Sequence, residues 1–508
     1  MSGPAAVNRV RRGFYLDSVA LMRLSQRASA LPGVETAALM IGSESNKRVM
    51  SEAGLLAEEG CSAGPNDLII AVRAESAKAG EAALGEAESF LDSSSLHGGE
   101  ADEWLPKSLD TAASALPGAN LAVISVPGEF AAAEARKALR RGLHVMIFSD
   151  NVSVADEISL KEEARERGLF LLGPDCGTAI IGGVPLAFAN EVPRGGVGIV
   201  SASGTGLQEV SCLIARGGGG VSHAIGVGGR DLSEDVGGLM TLMAIDALDE
   251  DEGTERIVLI SKPPAREIAE RILVRVRKSP KPFTICFLGL DELALPPNAR
   301  LAPTLLAAAE DALGCSFALS GAAEKTAREA AAALSPERRF ILGLFSGGTL
   351  CAEAQAVLRA AGEAVRSNVP IPGAWELDGD ESQDHVLIDL GTDEYTVGRP
   401  HPMLDPAARN EVMANALAAP GVAVVLLDLV IGHGAHEDPA GAVADVLARF
   451  SDRETWAVAS VCGTEDDPQV YSRQVEKLEE AGVIVASSNA QAARLALQMV
   501  WRGGEEVR

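Results

Sequence analysis

Three short stretches carry residue types that can do chemistry. SASGTGLQEV, Ser201 to Val210, follows the strand-like run GVGIV and precedes an apolar helical pattern. A strand that delivers Ser203, Gly204 and Thr205 to a helix start offers backbone N–H groups, two hydroxyls and the positive end of a helix dipole, which together cradle an anion. Ordinary capping of a βα loop by Ser or Thr uses the same residues. GHGAHEDPAG, from Gly432 to Gly441, also follows a buried strand and opens a helix. Gly432 and Gly434 allow close backbone approach, and His433 and His436 can hydrogen-bond or protonate a phosphoryl group near neutral pH. A capped loop with solvated histidines, or H-x-x-H with Asp438 as metal ligands, are the competing readings.

The third stretch runs from Asp389 through Arg399, His401 and Asp405 to Arg409. Asp405 caps a helix with Pro406 in its first turn. Arg399, His401 and Arg409 could hold a carboxylate through charge-assisted hydrogen bonds, or the two arginines could pair with nearby acids.

The elements that must position these residues alternate strand and helix. GFYLD, VETAALMIG and DLIIAVRA read as strands of a small N-terminal α/β module over residues 1–95, and LDSSSLHGGEADEWLPKS reads as a boundary. LAVISVPG, HVMIFSD and LFLLGP, with helices between them, give a βαβαβ series over 105–193. No G-x-G-x-x-G opens that series, which argues against a dinucleotide. GVGIV, VSHAIGVGG, TERIVLISK and KPFTICFLG make a third block over 194–335. RFILGLF, HVLIDLG, VAVVLLDLVIG, TWAVASVCG and VIVASS make a fourth over 336–508. SASGTGLQEV and LFSGGTLCAEA repeat a strand, an S-G-x-T turn and a helix, as a duplication would. The fold class expected is α/β, with several parallel-sheet domains.

Composition narrows the partners. The 71 acidic against 44 basic residues give a formal charge of -27, which repels phosphate backbones and anionic lipid, so neither nucleic acid nor membrane is expected. The seven cysteines include no C-x-x-C pair and sit largely in apolar runs, as in a reduced, cytoplasmic protein. A small anionic substrate and no metal are expected.

LLGPDCGTAII (Leu171 to Ile181), GIVSASGTGLQEV and AIGVGGRDL resemble the acyl-CoA synthetase superfamily that includes succinyl-CoA synthetase. VLIDLG and VVLLDLVIGHGAH resemble the C-terminal ligase domain of its nucleotide-binding partner subunit. GFYLDSVALM and MIGSESNK resemble the FdrA-type proteins within that superfamily. The resemblance covers roughly Asn120 to Ser488. It implies a CoA-binding Rossmann-like domain, then two flavodoxin-like ligase domains, α-type and β-type. Helices starting at Ser203-Gly204-Thr205 and at Gly432-His433-Gly434 would then face one phosphoryl site. It also implies Pro127, Asp175 and Cys176 as cofactor-binding residues, with CoA as the possible cofactor.

Two departures change the chemistry expected. LDELALPPNARLAPT contains no histidine where the synthetases carry their phosphohistidine, and Lys262 stands where they place a glutamate that holds it. No ATP-grasp-like domain precedes the ligase segment. The FdrA-type resemblance implies oxamate carbamoyltransferase, in which oxalurate and phosphate give oxamate and carbamoyl phosphate in anaerobic allantoin breakdown. The expected enzyme is therefore a transferase subunit with phosphate as substrate, assembled as an oligomer or with pathway partner subunits. In it His436, His433 and Lys262 are catalytic, while Arg399, His401 or Arg409 anchors the substrate. The alternatives are an acyl-CoA ligase subunit acting with a separate nucleotide-binding partner, and a non-catalytic protein that senses CoA or a phosphometabolite.

Overall fold

In the computed structural model, residues 5–501 are described apart from 15, 17, 97–105, 107, 291–292, 378–383 and 397–399. The chain is a multi-domain α/β protein with four sheets. The first has three antiparallel strands, in the order Ala5–Arg11, Leu68–Ala74, Val34–Ile41. Its first strand lies before GFYLD, the stretch expected to form it. Ala5–Arg11 is an edge strand paired along its length with Leu68–Ala74, and its outer face carries charge: Arg9 bonds Glu88 and Glu81, and Arg11 bonds Asp92, on the helix Ala77–Leu96. Hydrophobic periodicity therefore does not report it. The same helix runs on into the expected boundary segment.

A second sheet is parallel, in the order Leu121–Ile124, His144–Ile147, Leu171–Leu172, and is Rossmann-like in its alternation with helices Gly128–Arg140 and Val154–Glu166. The first large sheet has the order Ala299–Leu301, Phe283–Phe287, Arg256–Ser261, Arg194–Ser201, Val221–Gly226, Thr178–Ile181, Val184–Ala187. Its first five strands are parallel, and the last two form an antiparallel hairpin. That hairpin falls inside the 105–193 block of the sequence yet joins this sheet, and the Phe188 ring just after it stacks on Phe148 beside the second sheet, centroids 5.6 Å apart.

The second large sheet is parallel throughout, in the order Trp375–Glu376, Val365–Ser367, His385–Asp389, Phe340–Phe345, Val422–Val430, Trp456–Cys462, Ile484–Ala486. The two large sheets are flavodoxin-like and share one core. Leu207, Val210 and Leu213 of the helix Gly204–Arg216 are buried in the same cluster as Leu350, Ala354 and Leu358 of the helix Gly348–Ala360. Each such leucine contributes about 1.5–3 kcal/mol on burial. Those contacts fix the two helices against each other, and each helix starts at the carboxyl end of a central strand of its own sheet.

Candidate functional site

The helices Gly204–Arg216 and Gly348–Ala360 have equal length, 13 residues each, and their N-termini meet. Ser203, the N-cap of the first, accepts a hydrogen bond from Gly206 N (3.0 Å), and its hydroxyl also hydrogen-bonds the Thr349 hydroxyl. Gly347, the N-cap of the second, has no side chain to cap with. A Cβ there would lie 2.9 Å from Thr205 Cγ2, so only glycine permits this approach. Among the described residues the N–H groups of Gly204, Thr205, Gly348 and Thr349 find no hydrogen-bond partner. Four unpaired amides at two helix starts, here called the cradle, are able to donate hydrogen bonds to an anion.

The cradle opens into a cleft of about 1100 Å3 that is also lined by Lys262, Asp389, His401, Asp175, Cys176 and Pro127. Lys262 follows the strand Arg256–Ser261, is exposed to the cleft, and makes no ion pair or hydrogen bond among the described residues. Asp389 ends the strand His385–Asp389. Its Oδ1 accepts from Gly391 N (2.9 Å), and the Asn368 amide grips its backbone on both sides, at 2.9 Å each. A Cβ on Gly348 would lie 2.4 Å from Asp389 Oδ2 and 2.8 Å from Lys262 Nζ. The carboxylate and the ammonium therefore flank one small gap beside the first residue of the second helix. Burial raises the Asp389 carboxyl, against the pull of Lys262 and the Gly391 N–H.

His401 accepts from Met403 N at Nδ1 (3.2 Å), which leaves the ring proton on Nε2, facing Gly391. Burial pushes its pKa down to about 4, so the ring is neutral at physiological pH. Asp175 adopts φ 55° and opens on the cleft floor, where the surrounding protein and then the charge of Asp150 push its carboxyl up to about 6. The Cys176 thiol donates to Gly226 O (3.3 Å) and burial raises it to about 12, so it packs the floor without acting as a thiolate. The loop carrying Gly228 and Gly229 into the cleft is anchored by a fully buried Lys161, which bonds Glu157 (2.8 Å), Asp231 (2.8 Å) and Val227 O (3.1 Å).

The half of the cleft beside the Rossmann-like sheet tests the fit of CoA. Pro127 is the N-cap of the helix Gly128–Arg140, with no side-chain cap, and Ser125, Val126 and Gly177 add small neutral groups. Glu129, Asp150 and Asp175 line the same cleft, and Arg230 and Lys262 act on Asp175. The small neutral groups fit a hydrogen-bonding arm ending in a thiol, and the uncapped start of the helix Gly128–Arg140 is the group here that can donate to a phosphate. On the outer side the cleft is closed by Met22, Met40, Asn46 and Arg48 of the N-terminal module.

Several expected site residues lie elsewhere. Gly432, His433 and Gly434 do not face the cradle: His433 N donates to Ala189 O (2.9 Å), its Nε2 pairs with Glu191 Oε1 (2.7 Å), and Gln469 holds Gly432 N at 3.0 Å. The helix this turn opens, Pro439–Ala448, is capped by its own Asp438 through Gly441 N (3.1 Å), so an acid already occupies its N-terminus. His436 accepts from Asp438 N (3.0 Å) and does not line the cleft. Arg409 is buried behind the cradle turn, donating to Asp428 O (2.8 Å), while the Asp428 carboxylate takes the N–H groups of Ser346 (2.6 Å) and Gly347 (2.7 Å). Arg399 lies outside the described residues. Thr349, Gly348 and Asp389 were not expected as site residues. The repeat of S-G-x-T in LFSGGTLCAEA was the available signal for the first two.

The architecture is typical of the acyl-CoA synthetase and ligase fold. The CoA-ligase family model matches residues 344–499. A second model, the AllF heavy metal-associated domain, matches residues 5–104. That segment holds one cysteine, Cys61, and among the described residues no three His, Cys, Asp or Glu side chains are grouped to hold a metal ion. The chain is 42% identical over 513 residues to Uncharacterized protein YahF of Escherichia coli (strain K12), covering 98% of this chain and 99% of that one. The chain belongs to the family of YahF, within the CoA-ligase and acyl-CoA synthetase superfamily.

It is also 28% identical over 185 residues to the alpha subunit of succinate–CoA ligase [ADP-forming] of Methanothermobacter thermautotrophicus. That match covers 36% of this chain and spans 60% of the relative's length. PH0766 from Pyrococcus horikoshii OT3 is a solved structure to which the chain is 16% identical, with 79% of this chain and 87% of that one covered and a TM-score of 0.30.

These similarities overturn the expected carbamoyl transfer. They run to CoA ligases and not to a carbamoyltransferase, so the transferase assignment and its place in allantoin breakdown are withdrawn. Among the described residues no helix is long and apolar enough to cross a membrane.

Proposed function

We propose that the chain is an acyl-CoA ligase-type subunit that exchanges an acyl group between phosphate and the thiol of CoA, with a separate nucleotide-binding partner. The observation that carries this reading is the pair of helix starts with four unpaired amides, next to an unpaired Lys262. CoA, when bound, supplies a thiol nucleophile. Gly204, Thr205, Gly348 and Thr349 hold the phosphoryl oxygens through backbone N–H, and Lys262 offsets their charge. Asp389, beside Lys262 with a raised pKa, is placed to take the thiol proton, and neutral His401 donates from Nε2. The residues first expected to be catalytic reduce, in this reading, to Lys262.

The succinate–CoA ligase relatives support a multi-subunit assembly for the same reason: the alpha subunit is what the chain resembles, and its nucleotide-binding counterpart is a second polypeptide. The test is thioester formation. The chain is incubated with acetyl phosphate or succinyl phosphate and CoA, then with ATP, CoA and short acids plus a co-purified partner. Acyl-CoA formed in either reaction, and lost in Lys262→Gln, supports the proposal. No thioester in any combination, with CoA failing to bind, rejects it.

A further inference from the structure

The two cradle helices carry matching acids. Glu209 and Glu353 each lie five residues past the first helical residue, roughly 7.5 Å down the axis from the cradle. Both are fully buried, at 1% and 0% exposure. Each crosses to the edge helix of the opposite large sheet. Glu353 accepts from Leu305 N (2.6 Å) and Leu306 N (3.3 Å), the start of the helix Leu305–Leu313 beyond the edge strand of the first large sheet. Glu209 accepts from Asn489 N (3.2 Å), the start of the helix Asn489–Val500 beyond the edge strand of the second. The Asn489 amide then donates to Glu353 Oε2 (2.7 Å), so one asparagine joins both acids.

The two carboxyls are not equivalent. Glu353 takes three N–H donors, two of them at a helix N-terminus where negative charge is favoured. Glu209 takes one N–H donor, with only the weaker Cys462 thiol beside it to favour its charged form. Two buried carboxyls bridged by a single asparagine, in a site without solvent, resist ionising together.

We propose that Glu209 and Glu353 hold one proton between them, Glu209 as the acid and Glu353 as the carboxylate, and that this pair is the positioning element that keeps both helix starts on a single anion. The positioning half of this inference rests on the anion cradle proposed above.

The groups facing the pair are consistent with that assignment. Arg216 lies on the same helix as Glu209 and draws it toward ionisation, but it makes no ion pair with it; its Nη2 donates to Ser487 O (2.8 Å) and its guanidinium sits over the Tyr471 ring. Cys212 on that helix, Cys462 ending a strand of the second large sheet, Tyr471, and Cys286 facing Glu353 from the strand Phe283–Phe287 are all raised by their surroundings and remain neutral. Burial raises both carboxyls, that of Glu353 to about 7, where the N–H groups of Asn489, Leu306 and Leu305 pull it back down.

The folded pair therefore keeps a proton that the unfolded chain releases near 4.5, so its contribution to stability is complete below that pH and is lost as pH rises through the folded value. The experiment measures thermal unfolding of the full chain, and sulfate binding by calorimetry, from pH 5 to 9. Sulfate does not titrate over that range. Glu209→Gln keeps the acceptor for Asn489 N and removes the shared proton. It should melt with the wild type at pH 5 and above it at pH 8, with sulfate affinity nearly constant, where the wild type weakens about tenfold across the range, as one pKa unit of coupling gives. Glu353→Gln keeps an acceptor for Leu305 N and Leu306 N but turns its own NH2 onto the Asn489 amide, and should melt lower at every pH. Equal pH slopes for the wild type and Glu209→Gln would overturn the shared proton. Slopes that differ as stated, with sulfate bound equally by all three proteins at every pH, would support the shared proton and overturn its positioning role. No sulfate bound by any of them would instead count against the cradle, while the melting slopes still decide the shared proton.

Discussion

Ser203 and Thr349, separated by 146 positions in the chain, share a hydrogen bond between their hydroxyls at the junction of the two large sheets. The contact joins the caps of two helices that begin in different halves of the protein, and it sets how far apart the two rows of free amides lie. Ser203→Ala and Thr349→Val should each cost about 0.5–1.5 kcal/mol. A double-mutant cycle on unfolding should return a coupling of about 0.5–3 kcal/mol. Additive effects would mean the two caps do not sense each other.

Gly348→Ala tests the gap between Lys262 and Asp389. Its methyl would fall within 2.8 Å of both groups. We expect at least a tenfold loss of phosphate binding, about 1.4 kcal/mol. Glycine to alanine at a helix start leaves the melting temperature close to that of the wild type. Titration calorimetry with inorganic phosphate reads the first quantity and a thermal melt the second; intact binding would remove the gap from the site.

Anion affinity should fall as pH rises through about 6. Asp175 holds its proton to that pH, against an ordinary 3.8, and its ionisation adds a negative charge to the cleft floor. Because the folded value is raised, the associated stability is complete below 3.8 and is lost by about 6. Asp175→Asn should flatten the phosphate-binding profile between pH 5 and 7. A variant that keeps the wild-type slope would assign the titration to another group.

His433→Ala and His436→Ala should leave thioester chemistry within about twofold of the wild type. His433 forms a half-exposed pair with Glu191, worth about 0–1 kcal/mol. His436 faces Asp438 at the start of a helix that is already capped. A large fall in kcat for either variant, with folding intact, would return the GHGAH turn to the catalytic centre.

Much of the architecture is legible in the residues. The buried runs VAVVLLDLV and TICF read directly as strands, because parallel strands covered on both faces carry unbroken apolar sequence. Ala5–Arg11 is not legible that way, since it is an edge strand with arginines and an asparagine among its apolar residues, and its pairing with Leu68–Ala74 is made far along the chain. The hairpin Thr178–Ile181 and Val184–Ala187 is two short strands whose sheet is chosen by contact with Val221–Gly226, far along the chain.

The site divides in the same manner. Small and hydroxyl residues at a strand-to-helix turn announce an anion-binding corner, and Ser203, Gly204, Thr205, Lys262, His401, Asp175 and Pro127 do reach one cleft. The absence of histidine from LDELALPPNARLAPT and the presence of Lys262 after a buried strand are facts of sequence and need no coordinates.

By itself, the sequence determined the alternation of strands and helices, the glycine-rich turns and the excess of acid. Local composition suffices for these, since each depends on neighbours a few positions away. Only the tertiary structure decided which second turn faces Ser203. Gly348 and the GHGAH turn both follow strands of the same sheet, but the shared core presses the Gly348 helix against the Gly204 helix, while Asp438 closes the other helix start from within. Packing across the two sheets chooses between two chemically similar corners, and no local pattern encodes that choice.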